Sequence, residues 1–249
     1  MRTRVQPWLI ALAVTATATA QPRQESPAVV HYRVGIQMLA HEYWDDAAEA
    51  FKRAIAADGR FALAYYGLGR AEMGRKQYRA AISALTACRD LYIEEAALRA
   101  TRELGAMQRR QEQINELRYA LREQQSGPQT VAQQRVVQEL QNQISDLESR
   151  GLSANLDLQA QAPAFVNLSL GSAYFRSGSL AEAERAYLDA LKANPRMGEA
   201  YNNLAVVYLM TDRIAEAERA VRQAEKNGYR VNPGLKDELR ARRSGTRPR

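Results

Sequence analysis

The sequence holds one cysteine, two histidines, eight prolines and fourteen glycines in 249 residues. The lone Cys88 allows no disulfide within the chain. It stands where a small buried residue is expected, which suits packing rather than chemistry. His31 and His41 are ten positions apart and match no zinc spacing. A glycine-rich phosphate loop and a Gly-x-Ser-x-Gly elbow are both missing, and no Cys–His pair has a credible setting. These absences argue against an enzyme and against a metal or cofactor. Scarce proline and glycine, beside abundant Ala, Leu, Glu, Gln and Arg, point to an all-α fold. With 46% hydrophobic and 25% charged residues, the composition is that of a folded chain with one or two cores.

The formal charge of +7 is concentrated at the two ends. Setting aside Arg2, Arg4 and the C-terminal Arg240, Arg242, Arg243, Arg247 and Arg249 leaves 28 basic against 28 acidic residues. A neutral body lacks the basic face that nucleic acid would require. The arginine-rich C-terminus reads as a solvated tail, or as a contact for anionic lipid or an acidic polymer.

Residues 1–20 read as a secretory signal. Arg2 and Arg4 form a basic start, Trp8 to Val14 is the apolar centre, and Ala18-Thr19-Ala20 supplies small residues for cleavage between Ala20 and Gln21. The apolar run falls well short of the roughly 20 residues that span a bilayer. No cysteine adjoins the cleavage site, which excludes a lipoprotein. The expected destination is the periplasm or the exterior.

Residues 164–197 contain Leu170-Gly171, Tyr174, Ala183, Tyr187 and Ala190, and close at Asn194-Pro195. They read as two short helices joined by Ser177-Gly178-Ser179, with small residues where the helices approach and large ones around them. A shift of 34 residues finds Leu204-Ala205, Tyr208, Ala217, Val221 and Ala224 in 198–231. Window 28–61 shows Val34-Gly35, Met38, Ala47, Phe51 and Ala54, ending at Asp58-Gly59. Window 62–95 shows Leu68-Gly69, Ala81, Leu85 and Cys88, but has Glu72 where an aromatic is expected and no terminal proline. The pattern resembles the tetratricopeptide repeat (TPR) family, whose period is 34. The resemblance implies an all-α TPR solenoid in two repeat pairs, 28–93 and 164–231.

Between the pairs, 94–150 reads as a coiled-coil hairpin. Apolar residues recur at Leu98, Leu104, Met107, Ile114, Leu117 and Leu121, then from Val136-Val137 through Leu140, Ile144 and Leu147. Ser126-Gly127-Pro128 breaks the two arms, about 94–125 and 129–150, which predicts an antiparallel return. Gly151 is expected to stop the second arm. The hairpin is either a spacer between the pairs or a second interaction surface, including one for homo-oligomerisation. Residues 21–27 read as a disordered lead-in, 151–163 as a linker, 232–243 as a capping helix and 244–249 as a basic disordered tail. Trp44 is expected inside the first repeat, with Asp45 capping its second helix. Asn167-Leu168-Ser169 fits a glycosylation triplet but falls within a packed helix.

The resemblance further implies a concave groove lined by the first helix of each repeat. On this chain it would hold Tyr32, Arg33, Ile36 and Leu39; Leu63, Tyr66, Arg70 and Met73; Phe165, Leu168, Ser172, Phe175 and Arg176; and Asn202, Asn203, Val206 and Leu209. Such a wall suits an extended or helical peptide. Leu168 and Ser172 stand where a clamp for a terminal carboxylate would need other residues. The expected function is a non-enzymatic scaffold binding a protein or peptide partner, by analogy in envelope assembly. Competing readings are an oligomeric organiser acting through the hairpin and a peripheral binder acting through the arginine tail.

Overall fold

The computed structural model describes residues 25–126, 130–152 and 161–244. Its helices are α1 (Pro27–Ala40), α2 (Trp44–Ala57), α3 (Ala62–Gly74), α4 (Tyr78–Gln125), α5 (Val131–Leu152), α6 (Ala164–Arg176), α7 (Leu180–Ala193), α8 (Gly198–Met210), α9 (Ile214–Lys226) and α10 (Pro233–Arg243). No strand occurs among the described residues. Helices α1 and α10 begin alike. Pro27 and Pro233 fill first-turn positions that lack an N–H partner in any helix, and Ser26 and Asn232 accept from Val29 N and Gly234 N at 3.3 and 2.8 Å.

The repeat signal read from the sequence is the packing core. Ala47, Ala81, Ala183 and Ala217 are fully buried, and so are Ala54, Cys88, Ala190 and Ala224. Between them Phe51, Leu85, Tyr187 and Val221 fill the space between the paired helices. A Cβ added at Gly171 would lie 2.6 Å from the Tyr187 ring, so this close approach requires glycine. Burial pushes the Cys88 thiol up to about 12, consistent with a packing role.

Each repeat turns between its helices in the same way. Tyr43, Gln77, Ser179 and Arg213 donate N–H to the carbonyls of Met38, Glu72, Tyr174 and Tyr208 at 2.8–2.9 Å. The residue before each donor is left-handed: Glu42, Lys76, Gly178 and Asp212, with φ of 59°, 61°, 84° and 60°. Glu72, the misfit in the pattern, is buried but paired. Arg75 reaches its carboxylate at 2.8 Å and also contacts Asp45 at 2.6 Å. Asp45 therefore does not cap α2. Tyr43 holds the cap position without a side-chain bond, and Asp45 lies in the first turn facing Arg75. Trp44 packs in the first core against Gly74.

The largest departure concerns α4. The sequence reading ends the first pair at 93, yet α4 runs unbroken for 48 residues from the second repeat into the hairpin. The first and third repeats end their second helices at Asp58 and Asn194, whose side chains accept from Arg60 N and Arg196 N at 2.9 and 3.1 Å. One period after Asp58 stands Tyr92, followed by Ile93. Neither offers such a turn, so the helix continues. It returns as α5, with Ile114 and Ile144 buried in the seam and Arg118 paired to Glu148 at 2.7 Å. Gly151 does not end α5, which continues to Leu152.

The hairpin separates the repeat pairs in sequence but not in space, which overturns the spacer reading. Helix α6 packs directly on α4. Ala81 and Leu85 share one core with Leu170, Ala173 and Ala186. The four repeats form one stack, and the hairpin projects from it. At the far end α10 lays Leu239 and Leu235 on the last core. Its arginines are not a free tail. Arg240 pairs with Asp237, Arg242 with Glu238 and Asp212, and Arg243 with Glu218, at 2.9–3.4 Å. Residues 1–24, which include Ala20 and Gln21, and 245–249 lie outside the described residues.

Candidate functional site

The first helices of the repeats, α1, α3, α6 and α8, present one face of the stack. Two adjoining cavities open on it. One, of about 340 Å³, sits at the joint of the two repeat pairs and is lined by Trp44, Arg70, Met73, Gly74, Leu85, Leu168, Ser169, Ser172, Arg176 and Glu199. The other, of about 470 Å³, lies between α6 and α8 and is lined by Ser172, Phe175, Arg176, Tyr187, Glu199, Asn203 and Val206. They share Ser172, Arg176 and Glu199, so the two make one continuous groove. Both volumes fall in the ordinary range for ligand clefts.

Of the residues named from the sequence, Arg70, Met73, Leu168, Ser172, Phe175, Arg176, Asn203 and Val206 line this groove. Tyr66 and Phe165 do not. Their rings meet edge to face at 4.8 Å, and the Tyr66 hydroxyl lies 3.3 Å from Ser169 Oγ, which fastens α3 to α6. Tyr32 packs on Phe51 and Phe61, and Arg33 pairs with Glu25 at 2.9 Å. Ile36 is exposed on α1, outside both cavities. Asn202 donates to Asn203 Oδ1 at 3.3 Å. The sequence reading of the groove does not include Trp44, Gly74, Leu85, Tyr187, Ser169 or Glu199. Trp44 and Tyr187 belong to second helices, which the first-helix rule passes over. Glu199 opens α8 one turn before Asn203 and looks, in sequence, like an ordinary solvated acid.

The polar groups of the groove divide into occupied and unoccupied. Ser172 Oγ donates to Leu168 O at 3.0 Å and accepts from the Tyr187 hydroxyl at 3.3 Å. Burial holds that phenol above its ordinary value. Arg70 and Arg176 are exposed and make no ion pair or hydrogen bond among the described residues. The lining is mixed, with Trp44, Met73, Leu168, Phe175 and Val206 as its apolar side chains and one acid, Glu199, beside them. Among the described residues no group of His, Cys, Asp or Glu is placed to hold a metal ion. No helix among them is long and apolar enough to cross a membrane. Asn167 is buried, so the triplet it begins offers no accessible amide for glycosylation.

Comparison with curated proteins finds no match. Among solved structures, a crystal structure of MamA aligns at 17% identity over 82% of this chain and 79% of that one, with a TM-score of 0.50. A crystal structure of PilW, a type IV pilus biogenesis factor, aligns at 14% identity over 90% and 88%, with a TM-score of 0.42. YrrB, described as a TPR protein with an unusual peptide-binding site, aligns at 14% identity over 86% and 91%, with a TM-score of 0.29. At these identities the likeness concerns fold alone. The tetratricopeptide repeat family model matches residues 39–96 and 168–229, the two stretches that fold as paired, stacked helices. With those repeats forming its core and its groove, the chain belongs to the tetratricopeptide repeat family.

Proposed function

We propose that the chain is an exported, non-enzymatic scaffold that binds an extended segment of a protein partner in the groove across α3, α6 and α8. The observation that carries this reading is the joining of the two cavities through Ser172, Arg176 and Glu199 on one open face. Repeat stacking gives that face apolar anchors, Met73, Leu168, Phe175 and Val206, beside polar groups that orient a backbone. Export rests on residues 1–20 as a cleaved signal, and envelope assembly is the setting that an exported scaffold of this kind suits.

The test is a pull-down from envelope extract with 21–249 and with the variant Phe175→Glu, Asn203→Ala, whose helicity is matched by circular dichroism. A partner held by the first and lost by the second supports the groove. A partner kept by the variant but lost on deleting 94–150 moves binding to the hairpin.

A second reading has its own observation. Leu98, Leu104, Met107 and Val136 on the hairpin are 38–48% exposed, more than a finished coiled coil leaves in solvent. Pairing with the hairpin of a second copy would cover them. Light scattering decides: a monomeric mass for 21–249 removes this reading. Peripheral binding through the C-terminal arginines is weakened by the pairing of Arg240, Arg242 and Arg243.

A further inference from the structure

We infer that the segment held in this groove carries an aspartate or glutamate at one fixed place, whose carboxylate enters between Arg70 and Arg176 where the two repeat pairs join. The inference rests on the groove reading and gives the partner its chemistry.

The polar groups at the joint differ in how far they are engaged. Most neutral polar groups at the joint are already used within the protein. Ser172 bonds Leu168 and Tyr187, Ser169 contacts Tyr66, and Asn203 accepts from Asn202. The two guanidiniums are not. Arg75 and Arg213, by contrast, are spent on structure: Arg75 is tied to Glu72 and Asp45, and Arg213 to Glu184 and Glu216. Arg70 projects from α3 and Arg176 from α6, and both line the same 340 Å³ cavity. A guanidinium presents a planar fork of donors that fits a carboxylate in bidentate fashion.

Charge points the same way. Glu199 is the one acid that lines either cavity, against two arginines, so the described lining of the groove carries a net positive charge. Around these cations the surface includes apolar side chains, Trp44, Met73 and Leu168, at the joint. An inorganic anion would use the arginines and leave that surface wet. A peptide with an acidic side chain between apolar ones uses both. Because the joint exists only where α6 stacks on α4, neither repeat pair holds this seat alone.

The experiment selects random twelve-residue peptides by phage display on 21–249, then measures the enriched peptide by fluorescence anisotropy. The expected result is enrichment of Asp or Glu at one position flanked by apolar residues. Arg70→Gln and Arg176→Gln should each weaken that peptide on the order of tenfold. Replacing the peptide's acid by its amide should weaken it similarly, and should remove most of the effect of either arginine substitution. Enriched peptides without an acid, whose binding is still lost in Phe175→Glu, would overturn the acidic seat and leave the groove standing. Enriched peptides that bind Phe175→Glu as well as the parent would overturn both.

Discussion

At the scale of single residues, the left-handed turn positions show how local strain is distributed over the repeats. Gly178 takes its positive φ freely, whereas Glu42, Lys76 and Asp212 hold a Cβ in the same conformation. We expect Lys76→Gly and Glu42→Gly to be neutral or stabilising by up to about 1 kcal/mol, since strain relief outweighs the added freedom of the unfolded chain. Urea unfolding of each variant checks it, and a clear loss of stability would contradict it. Arg213 gives a pH prediction. It lies over the Tyr208 ring at 4.3 Å and holds Glu184 and Glu216 at close range. Its hydrogen bonds lower the Glu216 carboxyl below the ordinary value. A carboxyl depressed by folding adds stability above its unfolded pKa, and that stability is lost as pH falls through the folded one. Thermal melts of the parent and Arg213→Met should therefore differ most near neutral pH and converge in acid.

At the scale of elements, what the sequence conveyed was whatever repeats. Ala47, Phe51 and Ala54 recur at one spacing because each repeat meets its neighbour through the same small-large-small stripe, so the core was legible from period alone. Helix ends were legible where a stop residue exists, at Asp58 and Asn194. They were obscure at Tyr92, where the stop is missing and the reader must choose a boundary. Tyr66 and Phe165 were read as groove residues because their register says so. Nothing in the sequence tells that α6 returns to α4 across an intervening hairpin and needs those two rings at the joint. That return is testable by deletion. Residues 93–160 number 68, two periods of 34. Removing them leaves Gln161-Ala162-Pro163 between Tyr92 and Ala164, the spacing that Gly59-Arg60-Phe61 makes between Asp58 and Ala62. The deleted chain should fold as four uninterrupted repeats with one cooperative transition by circular dichroism. Two separate transitions would show that the pairs do not stack.

At the scale of the whole molecule, the stack is nearly one-dimensional, and each repeat depends on its neighbours. Its two ends differ. Helix α10 covers the last core with Leu239, while at the other end Val30 and Val34 of α1 remain 37% and 39% exposed. Leu239→Ala should cost about 2 kcal/mol. Hydrogen exchange should show the loss first in α8 and α9, with α1 and α2 little changed. Uniform loss over all four repeats would mean that the chain opens only as a unit.

The unbroken α4 has a mechanical meaning. Leu85 lies buried beneath the groove, and the same helix reaches the hairpin tip at Gln125, about 60 Å away at 1.5 Å per residue. Groove base and arm are thus one beam with its pivot inside the protein. A load that tilted the arm would be carried into the core on which the groove is built. By reciprocity, an occupant that steadied that core would steady the arm by the same free energy.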